Sequence, residues 1–597
     1  MREFSVPASY VISDDQCMAD AVTRNEREHP DSVCFLTPTS GGDWSEVTAA
    51  EFANQVRAVA KGLIASGVHV GDRVSLMSDT RYEWVLLDYA IWFAGGVTVA
   101  IYASSAAEQV RWVLEDSGSE LLIVEQATHA AVAAEASEGL PLRETLRIDG
   151  GAIAELITRG REVPDTELTS RRAQLGAASD AVLIYTSGTT GKPKGVPLTH
   201  GNLGAMAACG PARLPSFTAP GSRTLLFLPM AHILAHAISL AAFENRVIVA
   251  HTSDWSNLPA QFAIIRPTGV LAVPRVFEKL YNTAKQLAHD SGKGRIFDRA
   301  TDIAVAWSRA LDTGGPNLWL RAEHVLFDRL VYGKLRAILG GECAYALSGG
   351  APLGERLAHF YRGVGVSIAE GYGLTETTAA ITLNGHETGN QRLGSVGQPF
   401  PGHDVRLADD GELLVRGPVV FQGYWRNPHA TTESFTDGWF HTGDLAAIDS
   451  DGYICITGRK KEIIVTAGGK NVSPALLEDT LRAHPLISQC MVIGDAKPFI
   501  AVLITLDRDA LPGWRHRHNV PTATPLLDLI SHPDLIADID QAVAATNARV
   551  SKAEQIKRAH ILDAEWTQET GELTPKLSLK RPAVLKRHEA DIDAIYG

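Results

Sequence analysis

The run Ala181-Val-Leu-Ile-Tyr185 is short, apolar and branched at its centre, and it reads as a buried strand. It empties straight into Thr186-Ser-Gly-Thr-Thr-Gly-Lys-Pro-Lys-Gly195. Gly188, Gly191 and Gly195 permit positive φ and close backbone approach, Ser187, Thr189 and Thr190 add hydroxyls, and Lys192 and Lys194 add positive charge. Those are the groups that hold a polyphosphate. A Walker A loop is excluded, because only two residues separate Gly188 from Gly191-Lys192 and the position after Lys192 is Pro193 rather than Ser or Thr. The plain alternative is a solvated Gly/Thr turn with two surface lysines.

The rest of the chain shows what kind of sheet this strand joins. Apolar positions recur at helical spacing from Ala49 to Gly67, followed by Gly71-Asp72 and the strand-like Arg73-Val-Ser-Leu-Met77. A second helical run, Trp84 to Phe93, ends at Gly95-Gly96 and gives way to the strand-like Val97-Thr-Val-Ala-Ile101. This alternation predicts an α/β sheet with parallel strands. At 597 residues the chain exceeds one ordinary core, so at least two domains are expected. No stretch of about 18 uninterrupted apolar residues predicts a membrane span, and the amino terminus carries no apolar signal region. Six cysteines lie scattered without metal-type spacing, which fits reduced thiols in a cytosol. The net charge of −14 argues against general nucleic-acid binding, so anionic ligands must be held by local cations.

Several downstream blocks carry chemistry. Phe227-Leu-Pro-Met-Ala-His-Ile-Leu234 places a single histidine, His232, among apolar residues, an arrangement that on its own is more often just a packed ring. Val273-Pro-Arg-Val-Phe-Glu-Lys-Leu280 opens a long helical region reaching about Leu339. Ala346-Leu-Ser-Gly-Gly-Ala-Pro-Leu353 predicts a strand and a turn in which Gly349 and Gly350 let a flat ring lie against backbone. Ile368-Ala-Glu-Gly-Tyr-Gly-Leu-Thr-Glu-Thr377 supplies an aromatic face at Tyr372, a hydroxyl at Thr375 and a carboxylate at Glu376, or alternatively the caps of a helix. Gly411-Glu-Leu-Leu-Val-Arg-Gly-Pro418 and Phe421-Gln-Gly-Tyr-Trp425 read as strands and turns of an antiparallel subdomain; Arg416 and Glu412 could be catalytic but read at least as well as a structural ion pair, and are left out of the site. Asp444, in Trp439-Phe-His-Thr-Gly-Asp-Leu445, has the acceptor geometry for a diol. Gly458-Arg-Lys-Lys-Glu-Ile-Ile464, Val465-Thr-Ala-Gly-Gly-Lys-Asn-Val-Ser-Pro474 and Glu569-Thr-Gly-Glu-Leu-Thr-Pro-Lys-Leu-Ser-Leu-Lys-Arg581 complete the series. The basic-aromatic run Trp514-Arg-His-Arg-His518 reads as a solvated loop, with a membrane surface or a nucleotide as alternative contacts.

In this order the blocks resemble those of the adenylate-forming (AMP-binding) enzymes, and the helical region after Val273 is most like the long-chain fatty acyl-CoA synthetases. The resemblance spans nearly the whole chain. It implies an α/β fold with a large amino-terminal domain (1–458) of stacked mixed sheets and helices plus an antiparallel subdomain, a hinge (459–461) at Lys461, and a small mobile α+β carboxy-terminal domain (462–597). It implies that Thr186, Ser187, Gly188, Thr189, Thr190, Gly191 and Lys194 hold ATP, with Lys192 beside them as a catalytic cation. Gly349, Gly350, Ala351, Glu370, Gly371, Tyr372 and Gly373 would frame the adenine, Thr375 would touch the α-phosphate, and Asp444 and Arg459 would hold the ribose. Mg²⁺ would rest on Glu376 and Thr189. His232 would wall the acyl pocket, and Gly468, Gly469 and Lys470 would pass the pantetheine arm of coenzyme A. Lys576 would bridge the carboxylate and the α-phosphate, with Lys580 as the alternative. No insertion of the kind carried by many fatty acyl-AMP ligases interrupts 459–468, which favours coenzyme A as the acceptor.

The reaction so implied activates a medium- or long-chain fatty acid with ATP, releasing pyrophosphate, and then transfers it to coenzyme A. Loading of a carrier-protein thiol, or a catalytically silent acyl-nucleotide binder, are the competing readings. A cytosolic location is expected; peripheral membrane contact and homodimerisation stay open.

Overall fold

The computed structural model describes residues 1–39, 41–186, 192–386, 389–552, 554–574 and 578–597. Among them the strand Asp180–Thr186 lies inside a sheet whose order is Glu144–Arg147, Leu121–Val124, Arg73–Met77, Val97–Ile101, Asp180–Thr186, Lys194–Thr199. All neighbours are parallel except the last pair, the hairpin that encloses the glycine loop. Parallel neighbours need crossovers, and the helices Tyr82–Phe93, Ala107–Ser117 and Ala127–Ala136 supply them. Tyr82–Phe93 is apolar almost all round and is buried as such, with Trp84, Tyr89 and Trp92 sealed in the core and Asp88 its one buried charged residue. The expected helix after Thr48 spans Ala49–Ala65; Thr48 and Glu51 form a capping box that fixes its start.

A second sheet orders Arg223–Leu226, Ile248–His251, Val33–Pro38 and Trp44–Thr48. A third carries Gly269–Ala272, Tyr345–Ser348 and Ser367–Tyr372 in parallel, then two short antiparallel strands. The helical region after Val273 comprises Pro274–Asp290, Gly294–Leu311, Leu318–Phe327, a π-helical turn Asp328–Tyr332, and Gly333–Ile338. The antiparallel subdomain joins Glu3–Val6, His403–Leu407, Glu412–Arg416, Trp439–Ile448 and Phe435–Thr436, with Ile454–Arg459 on Trp439–Ile448. Phe421 to Trp425 contributes turns rather than a strand.

After the helical turn Lys460–Glu462 the chain builds a smaller domain around Ile487–Ile493, Ile500–Leu506 and Ile556–Ile561. Its apolar clusters begin at Ile464, whereas those of the large domain end at Ile454; among the described residues none crosses that junction. The two domains meet instead through polar contacts, including Arg275 Nη2 to Asp507 Oδ2 at 3.2 Å and Lys279 Nζ to Asp509 Oδ2 at 2.9 Å. The run from Trp514 to His518 is not a loop. It lies in helix Leu511–Arg517 and its edge, and Trp514 is buried against His518 with its Nε1 donating to Asp538. The spacing puts the ring inside and Arg517 outside, while the half-buried Arg515 donates to the Thr522 and Thr524 carbonyls, so this tryptophan has no face to offer a membrane.

Candidate active site

Strands Tyr345–Ser348 and Ser367–Tyr372 run parallel and end at the same edge of their sheet, the place where α/β sheets hold ligands. Gly349, Gly350 and Ala351 follow the first, and Gly371, Tyr372, Gly373, Thr375 and Glu376 close the second; all of them line a cleft of about 2380 Å³ between the two domains. Gly373 is obligatory in this arrangement, because a Cβ there would sit 2.2 Å from the Ala379 carbonyl oxygen. Glu370 is buried beneath the cleft and accepts from the Leu353 N–H at 3.0 Å, latching the Gly349–Leu353 turn to the strand. Burial pushes its carboxyl up to about 7, and the nearby Asp479 adds to the shift.

Strand register assembles the next group. Asp444 pairs directly with Arg459 across Trp439–Ile448 and Ile454–Arg459, and Arg459 Nε stands 3.2 Å from Asp444 Oδ1. The Tyr372 hydroxyl donates to Asp444 Oδ2 at 2.6 Å. Burial pushes the Asp444 carboxyl up, while Arg459 and the Tyr372 hydrogen bond pull it down. The Tyr372 phenol is driven far above its usual value, by burial first and by Asp444 second, so it stays a donor. A carboxylate has about four lone-pair sites, which leaves Asp444 capacity for a diol while both oxygens keep their present partners. Glu412, which sequence reasoning set aside, supports this corner: it accepts from Gly443 N–H at 2.9 Å and pairs with Lys460 and His441. It is not paired with Arg416, which bonds Asp404 at 2.7 Å.

A cationic corner faces these groups. Lys194 opens the strand Lys194–Thr199, opposite Thr186, and both line the cleft. Its ammonium lies 4.6 Å from the centre of the Tyr424 ring, and the Tyr424 hydroxyl donates to Glu376 Oε1 at 2.9 Å. Lys192, two residues before the first paired position, is exposed over the Trp112 ring at 4.2 Å and does not line the cleft. Ser187, Gly188, Thr189, Thr190, Gly191 and Lys576 lie outside the described residues. Among the described residues no cluster of three or more metal-ligating side chains occurs. Glu376, joined through Tyr424 to the Lys194 corner, is a carboxylate of the kind that fits Mg²⁺, which takes one or two carboxylates and completes its shell with phosphate oxygens and water.

His232 caps helix Ile233–Glu244, its Nδ1 accepting from Leu234 N–H at 3.1 Å, and lines the cleft. A neutral ring accepting at Nδ1 carries its proton on Nε2. One turn on, His236 is fully buried with Nε2 2.8 Å from Asp88 Oδ2, pinning this helix to Tyr82–Phe93. Beyond His232 the cleft continues as an apolar arm between helices His200–Arg213 and Ile233–Glu244, lined by Met206, Gly210, Leu214, Phe217, Ala241 and Val247. Sequence reasoning named none of these. They read as ordinary core positions, and only tertiary packing brings segments so far apart to one wall.

From the small domain, Lys461, Thr574, Ser578, Lys580 and Arg581 face the cleft. Gly468, Gly469 and Lys470 do not. They form an exposed turn in which Gly469 has φ +75° and Lys470 Nζ stands 3.5 Å from Glu554.

Comparison with known proteins gives the same outline. The family model of the AMP-binding enzymes matches residues 22–425, and that of the AMP-binding enzyme C-terminal domain matches 461–597. The long-chain-fatty-acid–CoA ligase FadD15 of Mycobacterium bovis is 55% identical over 601 aligned positions, covering 100% of both chains, and that of Mycobacterium tuberculosis is 54% identical with the same coverage. Among solved structures, an anthranilate CoA ligase in complex with anthranoyl-AMP superposes with a TM-score of 0.72, covering 97% of this chain and 98% of the other at 20% identity. That likeness shows the fold. The chain belongs to the AMP-binding enzyme family.

Proposed function

We propose that this protein is an AMP-forming acid–thiol ligase that activates a medium- or long-chain fatty acid with ATP and passes it to coenzyme A. One observation carries the reading: a diol acceptor (Asp444 with Arg459), a ring platform (Tyr372), a carboxylate (Glu376) and a cation (Lys194) share one cleft with an apolar arm behind His232. The full-length identity to ligases named for long-chain fatty acids supports the same substrate class.

The chemistry needs no covalent protein nucleophile. A fatty carboxylate oxygen attacks the α-phosphorus of ATP, the bond to the β-phosphate oxygen breaks, and pyrophosphate leaves. Carboxylate and triphosphate repel, so the protein must bring anions together and neutralise the charge that develops at phosphorus. Lys194 and Lys576 do this, with Lys192 in reserve beside the loop; Mg²⁺, held by Glu376 and Thr189, supplies further neutralisation when bound. Thr375 steadies the α-phosphate. His232 sits where the carboxylate end of the acyl chain meets the nucleotide. In the second step the coenzyme A thiol attacks the acyl carbonyl carbon and AMP departs.

Residues 1–458 and 462–597 act as separate bodies joined at 459–461. With 574 and 578–581 turned toward the cleft and Gly468, Gly469 and Lys470 turned away, the present arrangement suits adenylation. The thiol step then requires rotation about Lys461 to bring the glycine turn to the cleft. The polar character of the domain contact favours such movement. The six free thiols fit a reducing cytosol.

The test is product analysis with a panel of fatty acids, ATP and either coenzyme A or a carrier protein. Acyl-CoA, AMP and pyrophosphate in equal amounts, with the best rates for medium- or long-chain acids, is the expected result. Preference for aromatic acids, or thioester formed only on the carrier, overturns the reading.

A further inference from the structure

Among the described residues, the exposed large apolar side chains are thinly spread except in one place. Leu318 and Trp319 are each 83% exposed, and Val325, Leu326 and Leu330 are about half exposed, all on helix Leu318–Phe327 and the π-helical turn that continues it. At about 1.5 Å per residue this ridge is roughly 18 Å long. Soluble surfaces rarely gather so many large apolar groups without a partner.

The opposite face of the helix is well anchored. Phe327 is buried, His324 stacks on Trp307 at 4.0 Å, and the Tyr332 hydroxyl donates to the Ala300 carbonyl at 2.7 Å. The ridge is therefore a fixed outer surface rather than a frayed segment. Its charge is equally one-sided. Glu323 and Asp328 are tied to Arg299 and Arg336 at 2.6 and 2.7 Å. Arg321, Arg329 and Lys334 are exposed without acidic partners among the described residues, on a chain whose net charge is −14.

We propose that this ridge docks on the surface of an anionic lipid bilayer. Tryptophan and leucine on a helix lying in the interface plane, flanked by arginine and lysine, match both the apolar boundary and the negative headgroups. A second copy of the chain is the weaker fit, because a two-fold contact would set Arg321, Arg329 and Lys334 against their own symmetry mates. The neighbouring helices Pro274–Asp290 and Gly294–Leu311 turn Tyr281, Asn282, Thr301 and Arg309 into the cleft. One helical layer thus has a lipid side and a cleft side, an apt arrangement for a substrate that partitions into membranes. That last point rests on the fatty-acid reading; the exposure and the charge do not.

The experiment is co-sedimentation of the full-length protein, without substrate, on vesicles of equal parts phosphatidylglycerol and phosphatidylcholine and on phosphatidylcholine alone. The wild type should sediment with the mixed vesicles. The double variant Trp319→Glu, Leu326→Glu should lower the partition coefficient at least about tenfold, and Arg329→Glu should lower it about fivefold. Both should keep their rate with a short, water-soluble acid, which also reports that they are folded. Absence of vesicle binding by the wild type, or equal binding by the variants, overturns the proposal. So does a wild-type dimer that the double variant converts to monomer, since the ridge is then a contact between copies. Because binding is read without substrate, failure of the fatty-acid reading leaves this result intact.

Discussion

The two walls of the cleft are built differently. On the large-domain side, Tyr372, Asp444, Arg459, Glu376, Tyr424 and Lys194 are joined by strand register, two short hydrogen bonds, an ion pair and a cation–ring contact. On the small-domain side, Lys461, Ser578 and Lys580 line the cleft from beyond the point where the large domain's apolar clusters end, across a polar seam. A ligand meeting the first wall finds its partners already placed, so little ordering cost remains. The second wall can be withdrawn without exposing a shared core. A nucleotide retained through two reactions needs the first kind of wall, and a group used in only one of them needs the second.

This contrast can be broken experimentally, because changes to the fixed wall should weaken both steps and changes to the movable wall only one. The largest effect is expected at the movable wall. Lys576→Ala should slow adenylation by on the order of 10²–10³, while transfer from preformed acyl-AMP to coenzyme A stays near wild type. If Lys580→Ala gives the larger loss of adenylation, the terminal lysines exchange roles. At the fixed wall, Asp444→Ala removes the proposed ribose acceptor and strands Arg459, so the KM for ATP should rise by about 10–100-fold, and the second step should suffer as well through loss of bound acyl-AMP.

Further from the phosphates, Gly210→Leu puts a side chain into the apolar arm beside Thr218. The ratio of kcat/KM for a long-chain acid over a short one should fall roughly tenfold, with the KM for ATP unchanged. The smallest effect concerns Glu370. Burial raises its carboxyl to about 7, so between the unfolded value of about 4.3 and 7 the folded protein keeps a proton that the unfolded chain releases. Stability therefore falls as pH rises through that window. Glu370→Gln should flatten the fall by on the order of 1 kcal/mol, measured by denaturant unfolding at pH 5 and pH 7.5.

How much of this was legible beforehand follows the same division. Asp180–Thr186, Arg73–Met77, Val97–Ile101 and Tyr345–Ser348 declare themselves, because buried parallel strands are short apolar runs, and after Thr186 and Ser348 glycines mark tight backbone. Asp444, Tyr372 and Glu376 stand in blocks whose order carries the resemblance, and pairing brings Asp444 to both Tyr372 and Arg459. Lys192 and Lys194 look alike in sequence; only pairing with Thr186 fixes Lys194 at the cleft and leaves Lys192 over Trp112. The run at Trp514 misled because a helix only seven residues long that ends in Arg515, His516 and Arg517 looks like a solvated loop. The apolar arm was invisible, since Met206, Gly210 and Val247 have the composition of any core and no local pattern separates a filled interior from a lined one.

The most direct measurement of the central claim is exchange of labelled pyrophosphate into ATP in the absence of coenzyme A. The account predicts exchange that depends on an added fatty acid, is sharply reduced in Asp444→Ala and Lys576→Ala, and yields AMP on quenching. ATP split to ADP and phosphate, or acyl-CoA formed with no exchange under any fatty acid, would contradict it.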